Sequence, residues 1–333
     1  MTSPTKRSLL SQIVAFALVV VLGCAALWLF LHRQYVIDQI IVWQYHPTSE
    51  VTTLANRTQL SREGTFIFYA SQPAVEDATA FNKDCTSVEQ STAVLGCYTH
   101  EQIYIYNVTD SRLDGIKETT AAHEMLHAAY ERLNPIERQH VNNLLEAEYA
   151  KLKDDKDFSD RMAIYARTEP GERDNELHSI IGTEVHTISP DLESYYSQYF
   201  TNRQALVNLH DAYNSLFTQL SAKKDALAQQ LTALQAQIAT ETQRYNDAVA
   251  RLNADIQAFN NQAAANGFKS QGDFDAERSA LIARINALDS QRSAVNADVA
   301  TYQELYAQYQ AVVGQSETLN RSIDSKLAPA PSL

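Results

Sequence analysis

The rhythm of hydrophobic and polar positions changes along this chain, and each change marks a different kind of segment. From Ile13 to Leu31 the side chains are apolar almost without a break over 19 residues, or 23 when counted from Leu9. At about 1.5 Å per helical residue the longer count spans about 34 Å, enough to cross a bilayer. Lys6 and Arg7 precede the run with no acid nearby, whereas Arg33 follows it with acids soon after. That bias favours a cytoplasmic N-terminus and an exported body. A cleaved signal peptide usually has a shorter apolar core than a run continuing through Trp28-Leu29-Phe30-Leu31. Val21-Leu22-Gly23-Cys24 looks loosely like a bacterial lipobox, but apolar residues continue after the cysteine. The expectation is a membrane anchor over residues 1–34.

Beyond the anchor the pattern is mixed. Residues 35–60 have helical spacing broken by a turn at His46-Pro47-Thr48-Ser49, and Thr65-Phe66-Ile67-Phe68-Tyr69 predicts a short strand. Gln102 to Val108 is the clearest strand in the sequence. The spacing then predicts a helix from Ile116 to Leu133, ended by Asn134-Pro135, and a second from Pro135 to about Lys153. Residues 154–189 hold a Glu169-Pro170-Gly171 turn and a helix from Arg173 to about Ile181. Strands followed by helices make an α+β domain over 35–190.

A third regime occupies 191–327. Ser189-Pro190-Asp191 reads as a helix start. Leu209, Tyr213, Leu216, Leu220, Leu227 and Leu231 then recur at mostly three- and four-residue steps, and the stripe resumes through Phe259. After Asn266-Gly267 a similar stripe runs from Leu281 to Leu327. Arms of nearly equal length, 209–265 and 273–327, joined by a glycine-containing turn, predict a long antiparallel helical hairpin of coiled-coil type. A parallel coiled coil between two chains is the competitor. The bland reading of this module is a spacer or a surface for a protein partner. Residues 328–333, with Ala328-Pro329-Ala330-Pro331, read as a disordered tail.

Composition alters the picture in two places. The net charge is −13 and no block of Lys or Arg occurs, which leaves nucleic-acid binding without an electrostatic footprint. Outside the apolar run there are only Cys85 and Cys97, twelve positions apart. As a disulfide they would constrain the unfolded chain by about 3 kcal/mol and agree with export. The alternative is two unrelated buried thiols.

Chemistry concentrates in His123-Glu124-Met125-Leu126-His127. Residues four apart on a helix share a face, so His123 and His127 present both imidazoles together, suited to Zn²⁺ at about 2.0–2.1 Å. Glu124, one step round the helix, is placed to reach a metal-bound water as general base. On these residues the sequence resembles the zincin metallopeptidases. The resemblance implies a catalytic domain whose edge strand, here Ile103 to Val108, binds an extended peptide or protein substrate. The longer metzincin motif is absent, since Tyr130 and Leu133 stand where its glycine and third histidine would be. Asn175-Glu176-Leu177-His178-Ser179 resembles the Asn-Glu-x-x-Ser core of the gluzincin branch. It implies Glu176 as third zinc ligand, with His178, Glu184 and His186 as competitors. Ile180 stands where that pattern has Asp, so the group orienting a zinc histidine must come from elsewhere. By the same resemblance His178, or more weakly Tyr165, would stabilise an oxyanion.

The expectation is therefore a single-pass cell-membrane protein, mostly extracytoplasmic: an α+β zincin-like zinc peptidase carrying a helical hairpin. Its rival is a non-enzymatic cell-envelope scaffold, or partner-binding coiled-coil protein, whose metal site is structural or silent. A third possibility is a hydrolase of cell-wall cross-links.

Overall fold

The computed structural model describes residues 6–85, 94–168 and 171–327. The apolar run forms α1 (Lys6–Leu31), of which Ser11–Leu31 is long and apolar enough to cross a membrane. One non-helical residue, His32, separates it from α2 (Arg33–Gln44). Two short helices follow, α3 (Ser49–Arg57) and α4 (Arg62–Ala70). The strand expected at Thr65–Tyr69 is therefore a helix. Ser61 caps it by accepting from the Gly64 amide, and Gly64, Ile67 and Phe68 fall on its buried side. An aromatic-rich pentapeptide fits either state, and the cap decides.

The sheet has three strands in the order β1-β3-β2: β1 (Ala74–Glu76), β2 (Gly96–Thr99) and β3 (Gln102–Tyr106). β1 runs parallel to β3 and β2 antiparallel to it, with Cys97 opposite Tyr104. Between β1 and β2 lies α5 (Ala78–Asp84), and a Cys85–Cys97 disulfide joins its end to β2. Helices α6 (Ile116–Arg132), α7 (Pro135–Leu152), α8 (Lys156–Thr168), α9 (Arg173–Glu184) and α10 (Pro190–Tyr196) complete this region. The break between α6 and α7 is encoded locally: Asn134 caps α7 in a reciprocal box with Glu137, and Pro135 opens it. Fully buried Ile103, Ile105, Met125, Leu126, Leu177, Ile180 and Ile181 tie β3, α6 and α9 into one core.

The rest is two long helices, α11 (Arg203–Ala264) and α12 (Gln271–Ile323). The chain divides into two compact units, residues 1–215 with 319–333, and 216–318. Within the second, Arg284 bonds Asp255 at 2.6 Å and Gln237 bonds Asp298 at 2.8 Å, an antiparallel register. Phe259, Phe268 and Phe274 meet beside the turn. The fold is thus mostly helical, with an apolar N-terminal helix and a long C-terminal helical region. The α+β zincin-like expectation is corrected: three strands of three to five residues are too little sheet for it. The expected disordered tail at 328–333 lies outside the described residues.

Candidate metal centre

The site is made by α6 and α9, the most extensively packed pair of helices in the first unit. A buried glycine on α9, Gly182, allows the approach. A Cβ on Gly182 would lie 2.5 Å from Leu126 Cδ1 and 2.8 Å from Tyr196 Cε1. Close packing brings the middle of α9 against the histidine face of α6. Nε2 of His123 lies 3.7 Å from Glu176 Oε2, and Nε2 of His127 lies 3.5 Å from Glu176 Oε1. The imidazole centroids are 4.7 Å apart and steeply inclined, at 77°. One donor atom from each of the three residues falls within 4.8 Å of the others. Two bonds of about 2.0–2.1 Å meeting at a tetrahedral angle separate their ligand atoms by about 3.4 Å, so these spacings fit a zinc-sized ion with little movement.

His127 is held by its other nitrogen. Nδ1 is 3.0 Å from Asn175 Oδ1 and 3.2 Å from Ser179 Oγ, and that hydroxyl donates back to the Asn175 carbonyl. An amide oxygen can only accept, so Nδ1 carries the proton and the Nε2 lone pair faces Glu176. The orienting carboxylate expected from elsewhere is not what stands here: an amide and a hydroxyl, Asn175 and Ser179, one helical turn apart, take its place.

Glu124 is buried beneath β2: a Cβ on Gly96 would come within 2.8 Å of its Oε1 and 2.5 Å of Thr120 Cγ2. Only a glycine lets the strand pass this close. His178 is elsewhere in character. It is fully buried, its Nε2 lies 2.9 Å from the Tyr195 hydroxyl, and Tyr130, Tyr195, Tyr196 and Tyr199 surround its ring. Burial, then the neighbouring His127, pushes its pKa down to about 3, so the ring is a neutral packing group that no substrate oxygen reaches. The other competitors are also placed away from the centre. Glu184 pairs with Arg161 and lies 3.6 Å from His210 Nε2, while His186 lies 3.8 Å from Asp211. The Tyr165 side chain lies outside the described residues.

One further feature escaped the sequence. Asp38 on α2 is buried and makes a bidentate pair with Arg132, in the last turn of α6, at 2.9 Å through both oxygens. Arg132 also donates to the Ala128 carbonyl and the Tyr98 hydroxyl. The helix that leaves the apolar segment is thereby fastened to the helix that carries the histidines. An acid and a base 94 positions apart leave no sequence signal of pairing.

One family model matches the chain, that of the LemA family, over residues 191–285. The matched stretch is less than a third of the chain and lies within α10, α11 and the start of α12. Nothing matches among curated proteins or among solved structures. This match corrects the reading drawn from the His-Glu-x-x-His motif. LemA is a helical, membrane-associated family and not a metallopeptidase family. Together with the scant sheet, it overturns the zincin resemblance and, with it, the peptidase activity with Glu124 as general base. The alternative, a non-enzymatic membrane-associated helical protein, fits better.

Proposed function

We propose that this chain is a membrane-anchored, non-enzymatic scaffold whose head is clamped by one divalent cation, zinc by its donor chemistry, and whose long helical hairpin is the surface for a protein partner. The reading places the body outside the cytoplasm, in keeping with the charges flanking α1. The convergence of His123, His127 and Glu176 carries the metal half. Two neutral nitrogens and a carboxylate, from two helices, with one imidazole fixed in tautomer, form a donor set suited to Zn²⁺. Such an ion bridges α6 to α9, and its binding free energy adds directly to the stability of the head. The LemA match over 191–285 supports the helical, membrane-associated half.

The test is metal analysis of the purified full chain beside its Glu176→Ala and His127→Ala variants, with thermal melts before and after chelation. One zinc per chain and a melting temperature that falls on chelation are expected, with both properties lost in the variants. Absence of bound metal after zinc incubation overturns the clamp. Peptide hydrolysis by the wild type that disappears in Glu124→Gln overturns the non-enzymatic reading.

A further inference from the structure

The helix that follows the apolar segment has a face that nothing among the described residues of the first unit covers. On α2, Asp38 points inward to Arg132, while Ile37, Ile40 and Trp43 on the far side are exposed, Trp43 to 74%. Tyr35 is also more than half exposed. Single exposed apolar residues are ordinary, but three large ones at three-residue steps on one side make a stripe. Two observations say what covers it. The stripe begins six residues after Leu31, the end of the segment apolar enough to span a bilayer, and the intervening His32 departs from helical dihedrals, with φ −109° and ψ 25°, although its amide still bonds the Trp28 carbonyl. A second element exposes a large apolar side chain at the same end of the head. Ile136 is 81% exposed and follows four residues after Arg132, the residue that Asp38 grips.

We infer that α2 is an interfacial helix, its Ile37-Ile40-Trp43 face seated on the surface of the lipid bilayer that α1 crosses. This inference rests on the membrane-anchored reading above. A helix of 12 residues lying against the interface with this exposed apolar face, a tryptophan at headgroup level and Arg33 beside the phosphates, is stable there where the same face in water is not. The Asp38–Arg132 pair then transmits that seating to α6, so the head is held against the membrane rather than swinging on a tether.

The chain has two tryptophans, Trp28 in α1 and Trp43 in α2, which separates the two claims experimentally. Full-length Trp28→Phe and Trp43→Phe variants are reconstituted in phosphatidylcholine vesicles containing lipids brominated either near the headgroup or near the acyl-chain end. In Trp43→Phe, Trp28 reports whether α1 spans. In Trp28→Phe, Trp43 is expected to emit to the blue of water-exposed tryptophan and to lose roughly half its intensity to the shallow bromines, with little effect of the deep ones. Adding Ile37→Ser and Ile40→Ser removes that quenching. Quenched Trp28 with unquenched Trp43 overturns the inference and leaves the anchor standing, whether Trp43 is red-emitting in water or blue-emitting under a protein partner. Unquenched Trp28 overturns the anchor itself.

Discussion

At the scale of single residues, the candidate donor cluster was legible wherever its spacing is local. A four-residue step on one helix puts two imidazoles together whatever the fold around it. Glu176 was found from its own neighbours, Asn175 and Ser179. Their bond to His127 was not found, because the orienting group was expected to be a carboxylate from elsewhere than the Ile180 position. An amide does the same work with a weaker acceptor. Replacing Asn175 by Ala is expected to weaken zinc binding by about 10–100-fold while leaving the head folded, and competition with a fluorescent chelator measures it. Equal affinity in wild type and variant would mean that His127 needs no help to orient. A different histidine sets a pH dependence. His210 is buried, and burial followed by the nearby Arg161 depresses its pKa, against the raising effect of Asp211. Its folded pKa lies below the unfolded value of about 6.5, so the unfolded chain takes up the proton first. Its contribution to stability is intact above that value and lost as pH falls below it. The slope is at most about 1.4 kcal/mol per pH unit for one proton. Denaturant melts between pH 7 and pH 5 should show a shallower acid loss in His210→Gln; parallel curves would exclude His210 as the source.

At the scale of elements, helices with strong caps and long apolar stripes were readable, and short segments were not. Asn134-Pro135 announced the break between α6 and α7, and Ser189-Pro190 announced α10. The pentapeptide Thr65–Tyr69 misled because all five of its residues are β-branched or aromatic, while the deciding cap, Ser61, lies four positions before it. β1 and β2, with three and four residues, are too short to carry a period at all. What joins elements is less legible still. The α2–α6 connection rests on Asp38 and Arg132, whose side chains are 3% and 12% exposed. Asp38→Ala strands a guanidinium in that setting, and breaking such a pair from one side costs about 3–5 kcal/mol. Urea unfolding of the head should register the loss, and a change under 1 kcal/mol would show that water replaces the carboxylate freely. The α6–α9 contact has its own test in Gly182→Ala. The added methyl meets Leu126 and Tyr196, and overpacking of this kind costs about 1–3 kcal/mol. If α6 and α9 set the spacing of the donors, the same variant also binds zinc more weakly.

At the scale of the molecule, the sequence separated its parts better than it identified them. A stripe repeated over two arms can bury itself by folding back, and the arms expected at 209–265 and 273–327 appear as Arg203–Ala264 and Gln271–Ile323. The motif in the head suggested a peptidase, because a pattern of five residues describes a donor set and not what surrounds it. The family match falls on the helical stretch instead. The two compact units give this division a physical meaning. Residues 1–215 with 319–333 contain the metal donors, the disulfide and the core around Met125 and Leu126, whereas residues 216–318 contain none of them. Stability of the head and binding of zinc should therefore be separable from the hairpin. Replacing residues 216–318 by a flexible Gly-Ser linker closes the chain at an entropic cost that grows only slowly with linker length. The shortened protein is expected to bind zinc with unchanged stoichiometry and to keep its chelator-sensitive melt. Any partner captured by crosslinking to the full chain should be lost. If zinc binding disappears with the hairpin, the long helices are part of the head's architecture. The division of labour between a clamped head and a partner-binding hairpin would then be wrong.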